Sequence, residues 1–134
     1  MIEQELIEVY NRTQYQVSGT EIILQIGEHS SMLDTLLNQY HQQDWAFISA
    51  CNPGSIVLPD EVNRLRHEQL KVSLGLYSYF EGVGVGENPP WKPERSLLVI
   101  GINRAKAMEI GSFFEQNAIV AGRIYLPAEL LLLK

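Results

Sequence analysis

One cysteine, Cys51, stands in 134 residues. A lone thiol excludes an internal disulfide framework, and a reducing cytoplasm is the compartment such a composition fits. Cations are scarce too: ten Lys and Arg face sixteen Asp and Glu, for a formal charge of −6, and no basic cluster occurs along the chain. Proteins that grip a phosphate backbone carry a basic patch, so nucleic acid is a disfavoured partner. The three histidines, His29, His41 and His67, are dispersed and follow no ligand spacing, so no metal site is expected. No apolar run approaches the roughly 20 residues that cross a bilayer. Met1-Ile2-Glu3-Gln4-Glu5 lacks the basic start and apolar core of a signal peptide, so no membrane association is expected. What is present is 46% hydrophobic residues, enough for the core of one ordinary domain over 1–134, with no linker, repeat or low-complexity tract.

The strongest pattern lies between residues 45 and 123. Trp45-Ala-Phe-Ile-Ser-Ala50 is a short apolar run closed by Asn52-Pro53-Gly54, which predicts a buried strand. Pro59 with Asp60 and Glu61 predicts a helix start, and Val62, Leu65, Val72 and Leu76, beside Leu70 and Leu74, predict its apolar side, with Gly75 as a stop. Strands are predicted over 77–85, 96–102 and 117–123, the second of these the most apolar and central. Asn103 caps a helix over 104–115 whose inner side carries Ala107, Met108, Ile110, Gly111 and Phe114. Ahead of this block, Leu6, Val9 and Tyr10 mark an amphipathic helix, Tyr15–Val17 and Ile22–Ile26 a hairpin, and Ser31 with Asp34 the start of another helix. The tail 128–134 is expected to be a final strand or helical turn packed on the core, or buried by a second copy.

The βαββαβ order predicts an α+β fold of the split-βαβ, ferredoxin-like class, with a helix–hairpin–helix extension at its N-terminal side. Right-handed crossovers set the first two strands parallel and the last two opposite to them. That topology gathers Cys51, Asn52 and Pro53, the 82–86 glycines, Glu94 and Ser96, and Gln116 and Asn117 at one end of the sheet, with Asn63 nearby. The opposite end offers mainly Asn103 and Arg104.

Each candidate has a bland rival. Gly82-Val-Gly-Val-Gly86 runs into Asn88-Pro89-Pro90 and not into a helix, so neither a dinucleotide fingerprint nor a P-loop fits. Close packing or a bulge is the preferred reading of these glycines, and a ligand cradle at Gly84 and Gly86 the alternative. Glu94, with Asp60, Glu81 and Glu87 expected in its vicinity, is the best acid/base candidate, and simple solvation is its rival. Asn52, Asn63, Gln116 and Asn117 offer donors and acceptors suited to a polar ligand, or to fixing their own loops. Cys51 is read as a quiet thiol, although His67 shares a helix face with Asn63 and could approach it. Trp91, on the 88–93 loop, is either a lid that stacks on a ligand or a hydrophobic plug.

Taken together, Trp45-Ala-Phe-Ile-Ser-Ala-Cys-Asn-Pro-Gly-Ser55, Asn63, Gly82-x-Gly-x-Gly86, Glu94-x-Ser-Leu-Leu-Val and Phe114-x-Gln-Asn-Ala-Ile119 resemble a bacterial family, domain-of-unknown-function family 3293. Tyr15 and Ile26-Gly27 match near the start. The family tends to read Thr-Ala before its Asn-Pro where this chain has Ser49-Ala50-Cys51, which argues against a shared role for the thiol. The resemblance implies a small bacterial protein, adds weight to Asn52, Asn63, Glu94, Ser96, Gln116 and Asn117, and names no reaction and no cofactor. Two functions follow. One is a small polar ligand bound at residues 51–55, 82–86, 94–96 and 116–117, with Glu94 the acid/base if there is catalysis. The other is a protein–protein interaction or homodimerisation module, pairing through a free strand edge at 117–123 or the Leu-rich tail.

Overall fold

A computed structural model of the chain describes residues 3–87 and 92–134. Along the chain come helix α1 (Gln4–Arg12), strands β1 (Gln14–Val17) and β2 (Ile23–Leu24), helix α2 (Ser31–Gln39) and strand β3 (Asp44–Ile48). A 3-10 turn at Pro53–Ser55 leads to helix α3 (Asp60–Ser73), strands β4 (Ser78–Val85) and β5 (Glu94–Ile100), helix α4 (Arg104–Phe113), and strands β6 (Ala118–Arg123) and β7 (Glu129–Leu132). The fold is α+β. Seven strands form one sheet in the order β2-β1-β4-β5-β3-β6-β7, every neighbouring pair antiparallel. Among the described residues no helix is long and apolar enough to cross a membrane.

Side chains of a strand alternate between faces, and here both faces are covered. Ala46, Ile48, Leu97, Val99, Ile119 and Ala121 pack against Leu70 and Leu74 near the end of α3 and Ala107, Ile110 and Phe114 of α4. The alternate residues Trp45, Phe47, Leu98, Ile100 and Val120 form a second core with β1, β2 and Leu33 and Leu37 of α2. Double coverage explains why β3 and β5 read as unbroken apolar runs. The sheet curls around the second core until its two ends meet. Gly27 N donates to Ala128 O (2.8 Å) and Ala128 N to Glu28 O (3.0 Å), beside a bridge between Ile26 and Ala128.

That closure changes the expectation for the sheet edges. Strand 118–123 is interior, held by β3 on one side and β7 on the other, so it offers no free ladder. The Leu-rich tail is β7 itself, paired through Leu130, Leu131 and Leu132 with β6.

Helix α3 buries only part of the apolar side that its spacing predicts. Asn63, His67 and Leu70 are buried, with Leu74 just beyond, whereas Leu65 and Val72 are 59% and 82% exposed. The cause is polar anchoring: Arg66 Nε donates to Ala50 O (2.6 Å) and Arg66 Nη2 to Phe114 O (2.6 Å), while Asn63 bonds the preceding loop. A buried polar group that keeps its partners is tolerated, so the hydrogen bonds set the helix rotation. Smaller differences follow local chemistry. The cap of α2 is Ser30, which accepts from Leu33 N at 3.1 Å, one residue before the expected Ser31. Strand β3 ends at Ile48 because Cys51 N turns back to Ser49 Oγ (3.0 Å), and β5 begins at Glu94, which pairs with Gly84.

Candidate functional site

Where β4, β5 and the approaches to β3 and β6 meet, the molecule holds a cavity of about 730 Å³. Asn52, Asn63, Gly84, Gly86, Glu94, Ser96, Gln116 and Asn117 all line it, as do Lys92 and Pro93. Helix α1 contributes Leu6, Val9 and Tyr10 to the wall. None of the α1 residues is fully buried, and Leu6, Val9 and Tyr10 are half-buried where they line the cavity. Tyr15, Phe47, Ile119 and Val120 supply the remaining apolar surface.

The 51–58 loop gives the cavity its polar wall. Asn52 adopts a left-handed backbone (φ 48°, ψ 63°), a region Asn tolerates better than most residues. This turns its side chain to three neighbours at once. Its Nδ2 donates to Glu94 Oε2 (3.2 Å), and its Oδ1 accepts from Leu58 N (2.9 Å) and from Asn63 Nδ2 (2.7 Å). Asn63 Oδ1 in turn accepts from Asn52 N (2.9 Å). Gln116 Nε2 donates to Cys51 O (3.0 Å), and Asn117 Nδ2 to Ser55 Oγ (2.9 Å). Ser55 and Glu115 join Asn52 at positive φ, so three strained non-glycine residues meet at this loop and its neighbour, a density typical of sites whose geometry is held by the surrounding structure. Asn63 and Gln116 are thus spent on holding the loop. Glu94, Asn117, Ser55 and one face of Asn52 remain as the polar groups of the wall.

Glu94 has the most unusual surroundings. Burial pushes its carboxyl above the ordinary carboxylate range, and the hydroxyl of Ser49 and the amide of Asn52 offset part of that. The Tyr10 hydroxyl is likewise pushed up by burial, in the company of Ser55, Asn117 and the Glu94 charge. Asp60 lines the cavity with Glu94, but Glu81 and Glu87 do not. Glu81 instead binds Lys71 Nζ (2.6 Å) and accepts from His67 Nε2 (2.7 Å). Partial burial works against its ionisation, yet those two partners outweigh it and hold the carboxyl below its usual range.

His67 therefore faces Glu81 in a separate groove with Arg64 and Lys71, and does not line the cavity with Cys51. Cys51 is buried, its thiol pushed up by desolvation, with Sγ 3.8 Å from Asn63 O, which describes an inert side chain. The glycines divide. A Cβ on Gly82 would lie 2.7 Å from Gln16 O and from the Phe47 ring, so that position is a close-packing requirement. Gly84 pairs with Tyr15 on one side and Glu94 on the other, and a Cβ there would meet nothing nearer than 3.7 Å. Trp91 and the start of its loop lie outside the described residues.

Residues that sequence reasoning did not join to the site are Tyr10, Tyr15, Phe47, Ser49 and Arg66. Tyr10 carried a signal, a polar tip on the apolar side of α1, but it is the pairing of β1 with β4 that brings α1 to this end.

A family model described as proteins of unknown function, domain-of-unknown-function family 3293, matches residues 48–119, more than half of the chain, and the chain belongs to that family. No curated protein and no solved structure matches it.

Proposed function

We propose that this member of domain-of-unknown-function family 3293 binds a small polar ligand in the cavity beside Glu94, and that a reducing cytoplasm is its setting. One observation carries the reading: a cavity of about 730 Å³, within the size range of small-molecule sites, puts a desolvated carboxyl among neutral amides and aromatic walls. Empty, it is costly. The apolar side of α1 is left only partly buried, and Glu94 loses hydration without an ionic partner among the described residues. A ligand would supply both contacts. Within the wall, Glu94 is the group suited to take or give a proton, since a raised carboxyl works nearer neutral pH. We further infer that residues 45–123 are a ferredoxin-like, split-βαβ unit within one domain. What supports it is the order β4-β5-β3-β6, with α3 and α4 sharing one core.

The competing reading, a homodimerisation or interaction module, draws on Asn63 and Gln116, whose amides are engaged by the loop. A thermal-shift panel of nucleotides, metabolites and amines separates the two. A ligand at a hundred times its Kd raises stability by about 2.7 kcal/mol. The binding reading expects at least one such compound, its effect lost in Glu94→Gln. No stabilising compound, together with a concentration-dependent dimer in sedimentation equilibrium, would favour the module.

A further inference from the structure

We infer that the ligand of this cavity is an organic cation, an amine, amidine or guanidine, whose charge rests on Glu94 and whose body lies against Tyr10, Tyr15 and Phe47. The inference depends on the binding reading above and adds the charge and shape of what is bound.

Elsewhere this chain pairs the carboxylate it buries: Asp34 is held by His29, and even Glu81, whose side chain is 47% exposed, meets both Lys71 and His67. Glu94 is set back in the cavity wall, yet its hydrogen-bond partner is neutral, the amide of Asn52, and the neighbouring Ser49 hydroxyl donates to Arg95 O. Among the described residues it forms no ion pair. A shielded carboxylate without a counter-charge is expensive, and a cation arriving from outside removes that cost.

The walls suit the same guest. Tyr15 and Phe47 are 7% and 3% exposed and stand edge to face with centroids 5.4 Å apart, and Tyr10 closes the side under α1. Aromatic faces beside a carboxylate attract organic cations through the ring quadrupole. Lys92 and Arg95 also line the cavity, but both are exposed, and screened charges at a rim weigh less than a shielded one within. The other titratable groups facing the space are Tyr10, Tyr15, Cys51 and Asp60. Burial pushes the first three upward, so they stay neutral through the neutral range and leave Glu94 as the shielded negative charge.

Three compounds of one shape test this: benzamidine (cation), benzamide (neutral) and benzoate (anion), titrated into the full chain. Benzamidine is expected to bind at least about tenfold more tightly than benzamide, the scale of one charge-assisted contact. Glu94→Gln should bring the two together, while Glu109→Gln, which removes the same charge from the exposed side of α4, should leave the preference intact. If Glu94→Gln does not fold, the wild-type protein decides. Benzamidine pairs with the ionised form of Glu94, so its affinity should rise with pH as that carboxyl gives up its proton, while that of benzamide stays level. Equal binding of benzamide, stronger binding of benzoate, or a benzamidine affinity level with pH would overturn the cation assignment. Panel ligands confined to neutral and anionic compounds would overturn it too, and leave the binding reading standing. A protein stabilised by none of the three and by nothing in the wider panel would overturn the binding reading and this inference with it.

Discussion

Asn63 acts from inside α3 on a loop eleven residues earlier in the chain. Its side chain accepts from Asn52 N and donates to Asn52 Oδ1 and to Leu58 O, so one buried amide fixes both ends of the cavity's polar wall. Asn63→Ala would strand the Asn52 N–H and free the left-handed turn, and a loss of about 2 kcal/mol is expected in urea unfolding. A loss below about 0.5 kcal/mol would contradict the role, since that is the range of an uninvolved surface residue. Glu94 makes the opposite expectation. Its folded-state pKa lies above the unfolded value because burial disfavours the charge. The native state then binds more protons than the unfolded chain in the window between them, and stability falls as pH rises through it. Glu94→Gln removes that penalty, so the stability of the variant relative to wild type should increase from about pH 4 upward. A difference that stays level with pH would show that Glu94 ionises as freely in the fold as outside it. The sequence exposed these residues as a polar cluster. It did not divide them into those that hold the loop and those that face the cavity, because that depends on side-chain partners dozens of positions apart.

Among the elements, those packed by apolar area alone were legible, and those turned by polar anchors were not. In α4 the spacing of Ala107, Ile110, Gly111 and Phe114 names the buried side, and these residues are the ones that meet the sheet. In α3 and the turn after it the same logic selects Leu70 and Leu74, which are buried, together with Val62, Leu65, Val72 and Leu76, which are exposed, because Asn63 and Arg66 bind loop carbonyls and amides and draw their own side inward. Strand β4 gives a sharper test of element packing. Gly82→Ala places a methyl against Gln16 O and the Phe47 ring, and a loss of about 1–3 kcal/mol is expected from overpacking. Gly84→Ala, two residues on, meets only ordinary contacts and should fall within about 0.5 kcal/mol of wild type in the same unfolding experiment. Equal losses at the two positions would mean that a shared backbone requirement, and not the Phe47 contact, explains the glycines.

At the scale of the whole molecule, the decisive feature is the curl. It joins the stretch after β2 to Ala128, while β7 makes β6 an interior strand and the β1–β4 ladder brings α1 and β1 to the end of the sheet where the loop residues converge. The polar end of the site could be placed from the βαββαβ order, since that order fixes which strand ends lie together. The aromatic side could not, because Tyr15 and α1 reach it through the pairing of β1 with β4, strands far apart in the chain. The cavity is thus the joint product of two halves of the chain, and its occupation is the account's central claim. The direct measurement is a two-dimensional amide NMR titration of the labelled protein with the best compound of the stabilising panel. Shifts should concentrate at Tyr10, Asn52, Ser55, Gly84, Glu94 and Asn117. Shifts confined to the outer side of α3, at Val62, Leu65 and Val72, or spread without a centre, would contradict it.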